Sequence, residues 1–214
     1  PVGLWPLIQQ YCRGVGLGQM LYMEQGQATL RFQHRRLHEW PPEGGVSTLC
    51  RAEPADLHGD QMALSEQLLR ALDWDGQAMV EYRYEPDSGR YWLMEVNGRF
   101  WGSLPLARHC GAHFAWEAYR RTVLGQRDPA PPPRDDLRAR YMVPETKRLI
   151  RLWIAPGRIS DPFFKRRPVR DLIGYVLGFF DPATRYYVLT LSDPRPWMRD
   201  MAQMFRKAVR GGKR

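Results

Sequence analysis

Residues 76–97 read GQAMVEYRYEPDSGRYWLMEVN. Two alternating runs flank Asp87-Ser88-Gly89, and a three-residue turn ending in glycine closes many hairpins. If Pro86 pairs with Arg90, Glu81 falls directly opposite Glu95. Ala78, Val80, Tyr82, Tyr84, Trp92, Met94 and Val96 then form one apolar face. Glu81, Arg83, Glu95, Asn97 and, just beyond, Arg99 form the other. The stretch predicts an antiparallel hairpin in an α+β domain, with two acids, an amide and guanidinium groups on one polar face.

Two opposed carboxylates repel by roughly 3 kcal/mol at ~5 Å and an effective dielectric of ~20. A shared proton, an arginine between them or a divalent cation relieves this. Asn97 weighs toward the cation, because an amide oxygen is a good hard-cation ligand. Two acids and an amide, without His or Cys, select Mg²⁺ or Mn²⁺ over zinc. Mg²⁺ commonly keeps phosphate oxygens among its ligands, which points to a nucleotide. The competing reading is a surface salt-bridge hairpin neutralised by Arg83 and Arg99.

Outward from the hairpin, PLIQQYC (6–12) reads as a short strand and RGVGLG (13–18) as a glycine-rich bend. Residues 18–37 read as two strands joined at Gln25-Gly26, and 39–48 as a loop. Leu64, Leu68 and Leu72, with Met62 and Leu69, mark an amphipathic helix over 60–72. Residues 101–125 give a short helix, then a longer one. TKRLIRLWI (147 onward in its lysine) fits helix or strand. GYVLGFF and RYYVLTL suggest two strands around Asp181-Pro182. Residues 195–209 suggest a closing helix whose Trp197, Met201, Met204 and Phe205 dock on the first unit.

The 214 residues are 43% hydrophobic, a globular balance. No apolar run reaches the ~18 residues of a membrane span, so no membrane partner is expected. No signal-peptide pattern opens the chain. Three scattered cysteines argue against a disulfide framework, and a cytoplasmic location is expected. The first residue is not Met, so a piece of a longer protein is expected. Residues 1–129 hold 13 basic and 15 acidic residues, about −2; residues 130–214 hold 19 and 8, about +11. We therefore read one unit over 1–127, a stiff proline linker over 128–136 and a small basic α+β extension over 137–214.

MVEY followed by YWLMEVNGRFWGS resembles the ATP-grasp signature, two metal-binding carboxylates with the second inside E-x-N-x-R. IQQYCRGVGLG resembles that family's hinge, FQHRRLHEWPPEGGVST its substrate-side strand and loop, and LLRALDWDGQAMVEY the helix leading to the first acid. The resemblance covers residues 6–125. It is nearest to carboxylate–amine ligase-like proteins, with some similarity to the biotin carboxylase and carbamoyl phosphate synthase branch. It implies an ATP-grasp C-terminal subdomain, an antiparallel sheet with packed helices, using ATP and Mg²⁺ (or Mn²⁺). Glu81 and Glu95 would bind metal, with Asn97 completing the second ion. Arg99 would hold the transferred phosphate. Arg36, with His34 and Arg35, would face phosphate or a substrate carboxylate. Gln10, Tyr11 and Cys12 would lie on the adenine hinge, with Met94 under the purine, and the Gly44-Gly45 loop would close over the site. The implied activity is a ligase that makes an acyl phosphate from a carboxylate and passes it to an amine. The implied partner is the missing N-terminal half of the enzyme, with its phosphate-binding lysine; here no lysine precedes Lys147. Alone, the fragment is expected to be inactive. The family's hinge usually carries Glu where this chain has Gln10, and a larger aliphatic where it has Cys12.

The alternative class is a non-catalytic nucleotide-binding or nucleic-acid-associated module, worked by the basic extension. Aromatics interleave with arginine over 141–187, as in single-strand binders. The same pattern fits a small sheet with a basic outside, which is the preferred reading. His109 and His113 are spaced for a metal, but Gly111 interrupts their helix and no third ligand is evident, so zinc is not expected. Ser47 and Ser103 lack an Asp–His pairing, which sets hydrolase chemistry aside.

Overall fold

Strands β4 (Gly76–Glu85) and β5 (Arg90–Asn97) form the expected hairpin in a computed structural model that describes residues 8–161 and 163–211, with side chains as far as 207. At the acidic end the register is the expected one: Met79 faces Asn97, Val80 faces Val96 and Glu81 faces Glu95. Beyond Glu81 it slips by one, so that Tyr82 faces Leu93 and Glu85 faces Arg90. The loop is therefore residues 86–89, one longer than expected. Gly89, at φ 68°, donates its N–H to the Glu85 carbonyl at 2.9 Å. Met94 is the extra residue of a β-bulge. The bulge corrects the expected apolar face. Tyr91 stacks on Tyr84 with ring centroids 4.6 Å apart, Trp92 lies opposite Arg83, and Met94 is 47% exposed.

The hairpin is one edge of a seven-stranded sheet of order β5-β4-β1-β2-β3-β6-β7, antiparallel except for the β6–β7 pair. The other strands are β1 (Val15–Glu24), β2 (Gln27–Trp40), β3 (Val46–Ala52), β6 (Arg138–Arg140) and β7 (Thr184–Tyr186). Gln25 and Gly26 both take positive φ, 50° and 76°, the tight hairpin turn that this dipeptide suggests. The expected α+β class, an antiparallel sheet with packed helices, is what forms.

Helix α1 (Gly59–Ala71) covers one face and packs with Leu17, Leu21, Val80 and Tyr82. Its buried residues are Met62, Ser65 and Leu69, whereas Leu64 and Leu72 face solvent. The expected leucine stripe is thus rotated. Ser65 turns the helix inward by donating to Gln19 Oε1 at 2.7 Å and meeting the Tyr82 hydroxyl at 2.8 Å. Helices α2 (Leu104–His109) and α3 (Phe114–Thr122) cover part of the other face over Met20, Phe32, Trp101 and Cys50.

Three expectations change. Residues 8–13 form no strand, and the rest of PLIQQYC lies outside the described residues. The glycine-rich run is not a bend beyond Gly14, because β1 starts at Val15. GYVLGFF is not a strand: Pro168, whose fixed φ suits a first helical turn, opens α5 (Pro168–Leu177). Of the second run only Arg185 and Tyr186 are extended, as the end of β7.

The proline stretch marks a change of charge but not of core. Strands β6 and β7 extend the same sheet, and Leu137 and Ala139 pack in the cluster that holds Trp101 and Leu106. TKRLIRLWI resolves as helix, within α4 (Met142–Ile154). Helix α6 (Arg195–Gly211) rests on α4, so its stripe docks within the extension; Met204 is buried and Phe205 is exposed. Among the described residues no helix is long and apolar enough to cross a membrane.

Candidate functional site

The polar face of the hairpin continues across the sheet as a row: Glu95, Glu81, Gly18, His34 and Ala52, on β5, β4, β1, β2 and β3. The next row holds Arg83, Gly16, Arg36 and Cys50. Strand β1 is bare here because its two residues on this face are glycines. A Cβ at Gly16 would lie 2.7 Å from Arg36 Cδ, and one at Gly18 would lie 2.8 Å from His34 Cε1. Arg36 therefore lies flat across β1 and reaches β4, where Nη2 donates to Glu81 Oε2.

Asn97 answers the repulsion at the other end. Its Nδ2 donates to Glu81 Oε1 at 3.0 Å and to Glu95 Oε1 at 2.7 Å. The amide thus serves as a donor to both carboxylates, a role that the sequence argument left out. The neutralising arginine is Arg36, and not Arg83 or Arg99. Arg36 also donates to Glu39 Oε1 at 3.2 Å, and Arg83 sits 3.4 Å from Glu39 Oε2. The network runs Glu95–Asn97–Glu81–Arg36–Glu39–Arg83. Three carboxylates against two guanidiniums leave one negative charge. It rests at exposed Glu95, which has no ion-pair partner among the described residues.

Burial pushes the Glu81 carboxyl above its usual range; Arg36 opposes this and the charge of Glu95 adds to it. Burial also works against the charge of Arg36, but Glu81 and Glu39 overcome it and raise its pKa. His34 is fully buried, and burial together with Arg36 depresses it to about 3. It is a neutral ring with Nε2 3.3 Å from Ser103 Oγ and Nδ1 unpartnered.

The remaining expected residues divide. Arg35 points to the opposite face of β2, where it pairs with Glu53 at 3.0 Å, so strand alternation separates it from Arg36. His34 shares the face but is sealed and uncharged. Arg99 is exposed, and its Nη1 donates to the Phe100 carbonyl at 3.1 Å. Gln10 is exposed and Cys12 half-buried. Tyr11 stacks on Phe163 at 5.8 Å and donates to Asp161 at 3.2 Å. Tyr11, expected on a hinge, is thus held by the extension. Gly45 of the 41–45 loop already contributes its carbonyl to Arg36 Nη1 at 3.3 Å.

Arg36, Arg83, Glu39, Phe163 and Lys165 also line a cavity of about 340 Å³, which Glu81 and Glu95 do not line. The sequence reading did not find Glu39 or Lys165 there. Glu39 stands three residues after Arg36, which strict alternation would put on the opposite face; the register shifts of β2 between Arg36 and Glu39 interrupt that alternation, and no sequence signal marks them. Among the described residues no cluster of three or more His, Cys, Asp or Glu could hold a metal; the candidate set is two carboxylates and an amide. His109, weighed for zinc, instead bonds the Tyr186 carbonyl at 3.2 Å.

No family model and no curated protein matches the chain. Solved structures are similar over part of it. A biotin carboxylase from Campylobacter jejuni, in complex with β-γ-ATP, aligns over 61% of this chain and 30% of its own, at 10% identity and a TM-score of 0.48. The ATPase subunit of phosphoribosylaminoimidazole carboxylase from Aquifex aeolicus aligns over 58% and 38%, at 17% identity and 0.45. A pyruvate carboxylase from Rhizobium etli aligns over 47% and 10%, at 20% identity and 0.38. The aligned part is thus well under half the length of each of these proteins.

Proposed function

We propose that this chain supplies the metal- and phosphate-holding part of an ATP-grasp ligase that joins a carboxylate to an amine. The observation that carries the proposal is the pairing of Glu81 with Glu95 under one amide, with a net negative charge left at Glu95. That donor set, all oxygen once the Asn97 amide presents Oδ1, fits Mg²⁺.

Glu81, Glu95 and Asn97 would hold the metal. Mg²⁺ and ATP would supply charge neutralisation and the phosphoryl group that turns a carboxylate into an acyl phosphate open to an amine. Arg36, fixed between Glu81 and Glu39, keeps a positive charge on the wall of the cavity. Arg83 and Lys165 line the same cavity, which suits an anionic substrate. Arg99, with no carboxylate partner among the described residues, is available to phosphoryl oxygens. Met94, lifted out by the bulge, is the candidate surface for the purine, and Gln10, Tyr11 and Cys12 form the proposed hinge.

The test is calorimetry of ATP binding to this chain, with and without Mg²⁺, alongside Glu95→Ala and Asn97→Ala. Binding that requires Mg²⁺ and is lost in both variants supports the site. Binding that ignores Mg²⁺, or survives both substitutions, places the nucleotide elsewhere.

A further inference from the structure

Helix α5 is built with its apolar side outward. At about 100° per residue, Val169, Leu172, Ile173 and Val176 share one stripe, while Asp171 and Tyr175 fall on the opposite side. The polar side makes the packing contacts. Asp171 pairs with Arg148 at 2.6 Å, the Tyr175 hydroxyl meets Thr146 Oγ1 at 2.8 Å, and Arg140 donates to the Gly174 and Tyr175 carbonyls at 3.1 and 2.7 Å. No residue of α5 is buried, and Phe180, in the turn that follows, is 79% exposed. A helix held by ion pairs and hydrogen bonds, with its leucine and isoleucine toward water, reverses the usual order of burial.

The same segment is cationic. Lys165, Arg166, Arg167 and Arg170 lead into or lie on α5, and none has a carboxylate partner among the described residues. Arg166 Nε donates to the Leu152 carbonyl at 3.0 Å, which ties this run to the end of α4, where Ile154 is 78% exposed. We infer that the outward face of α5 docks on an anionic lipid surface. An apolar helical stripe with a basic collar matches acyl chains below and negative headgroups above. The side chains at the ends of the patch protrude rather than line a groove, which suits a deformable bilayer better than a protein surface.

The experiment is flotation of the 214-residue chain with vesicles of phosphatidylcholine, alone or mixed with phosphatidylglycerol, at low and high salt. The variants are Leu172→Ser with Phe180→Ser, and Arg167→Ala with Arg170→Ala; all four side chains are exposed, and circular dichroism checks the fold. The expected result is binding to mixed vesicles only, reversed by salt and lost with the serine pair. The alanine pair should weaken it about thirtyfold, two cations near the surface. Equal binding to neutral vesicles, or flotation unaffected by the serine pair, overturns the inference. Self-association that the serine pair abolishes, without flotation, assigns the face to a second copy and also overturns it.

Discussion

Replacing Glu95 by Gln tests whether the acidic face is held at a cost that a cation relieves. The Asn97 bonds of 3.0 and 2.7 Å put the bridged oxygens of Glu81 and Glu95 no more than about 5.7 Å apart. Two unit charges at that distance repel by about 3 kcal/mol at an effective dielectric of 20 and by under ~1 kcal/mol in bulk water. Glu95 is exposed while Glu81 is half-buried, so about 1 kcal/mol is the appropriate figure. Gln keeps the shape and an acceptor for Asn97 and removes the charge. The variant should therefore be more stable than the parent without Mg²⁺, by about 2–4 °C in thermal unfolding for a chain of this size. Added Mg²⁺ should raise the parent's Tm, since a ligand of the native state stabilises it, and should leave the variant's unchanged. Differential scanning calorimetry in chelator and in Mg²⁺ gives all four values. A variant less stable than the parent in chelator would refute the repulsion, and equal Mg²⁺ responses would refute the site.

Gly16→Val should push Arg36 off Glu81 and lower Tm by several degrees, because its Cβ meets Arg36 Cδ. In an Arg36→Ala background the same change should cost much less, and a double-mutant cycle by chemical denaturation reads the coupling. Glu81 has a raised pKa in the fold, so its contribution to stability is present below the ordinary carboxylate value of 4.5 and is lost as pH rises through the folded value. Glu81→Gln should flatten that part of the stability–pH curve, and parental Mg²⁺ affinity should rise with pH over the same window. His34 is depressed to about 3, so its contribution is present above 6.5 and is lost as pH falls from 6.5 toward 3; His34→Gln should lose this acid sensitivity in urea titrations across that range. Glu145, lowered to about 2 in spite of burial, holds His38, Thr48 and Arg148 together. Glu145→Leu should cost about 1–3 kcal/mol by denaturant unfolding, because it leaves Arg148 with Asp171 alone and takes the acceptor from His38 and Thr48.

The hairpin was legible because alternation and a Gly-closed turn specify a register, and the Glu81–Glu95 pairing follows from it. The bulge at Met94 was not legible, since one unpaired residue shifts only the distal half and leaves both runs looking alternating. In the extension, Val169, Leu172, Ile173 and Val176 carry a helical period, but the run from Gly174 to Phe180 taken by itself hides it and reads as a strand. Pro168 at the first turn is a second helix signal, and the Arg140 bonds to the Gly174 and Tyr175 carbonyls are long-range contacts that no local reading finds.

The least legible part of the candidate site is the part that organises it. A run of Gly-Val-Gly-Leu-Gly looks like a bend because glycine usually supplies backbone freedom. Here only Gly14 uses a positive φ, 127°. Gly16 and Gly18 use their missing side chains, which leave a channel across β1 through which Arg36, one strand away, reaches Glu81, on the strand beyond. The charge balance of the acidic face therefore depends on two residues that carry no charge. A reading that counts only acids and bases pairs Glu81 and Glu95 with the arginines of their own hairpin. The structure instead gives Arg83 to Glu39 and brings Arg36 across, so the negative charge that remains is at Glu95, the solvent end of the network, where an incoming cation has access.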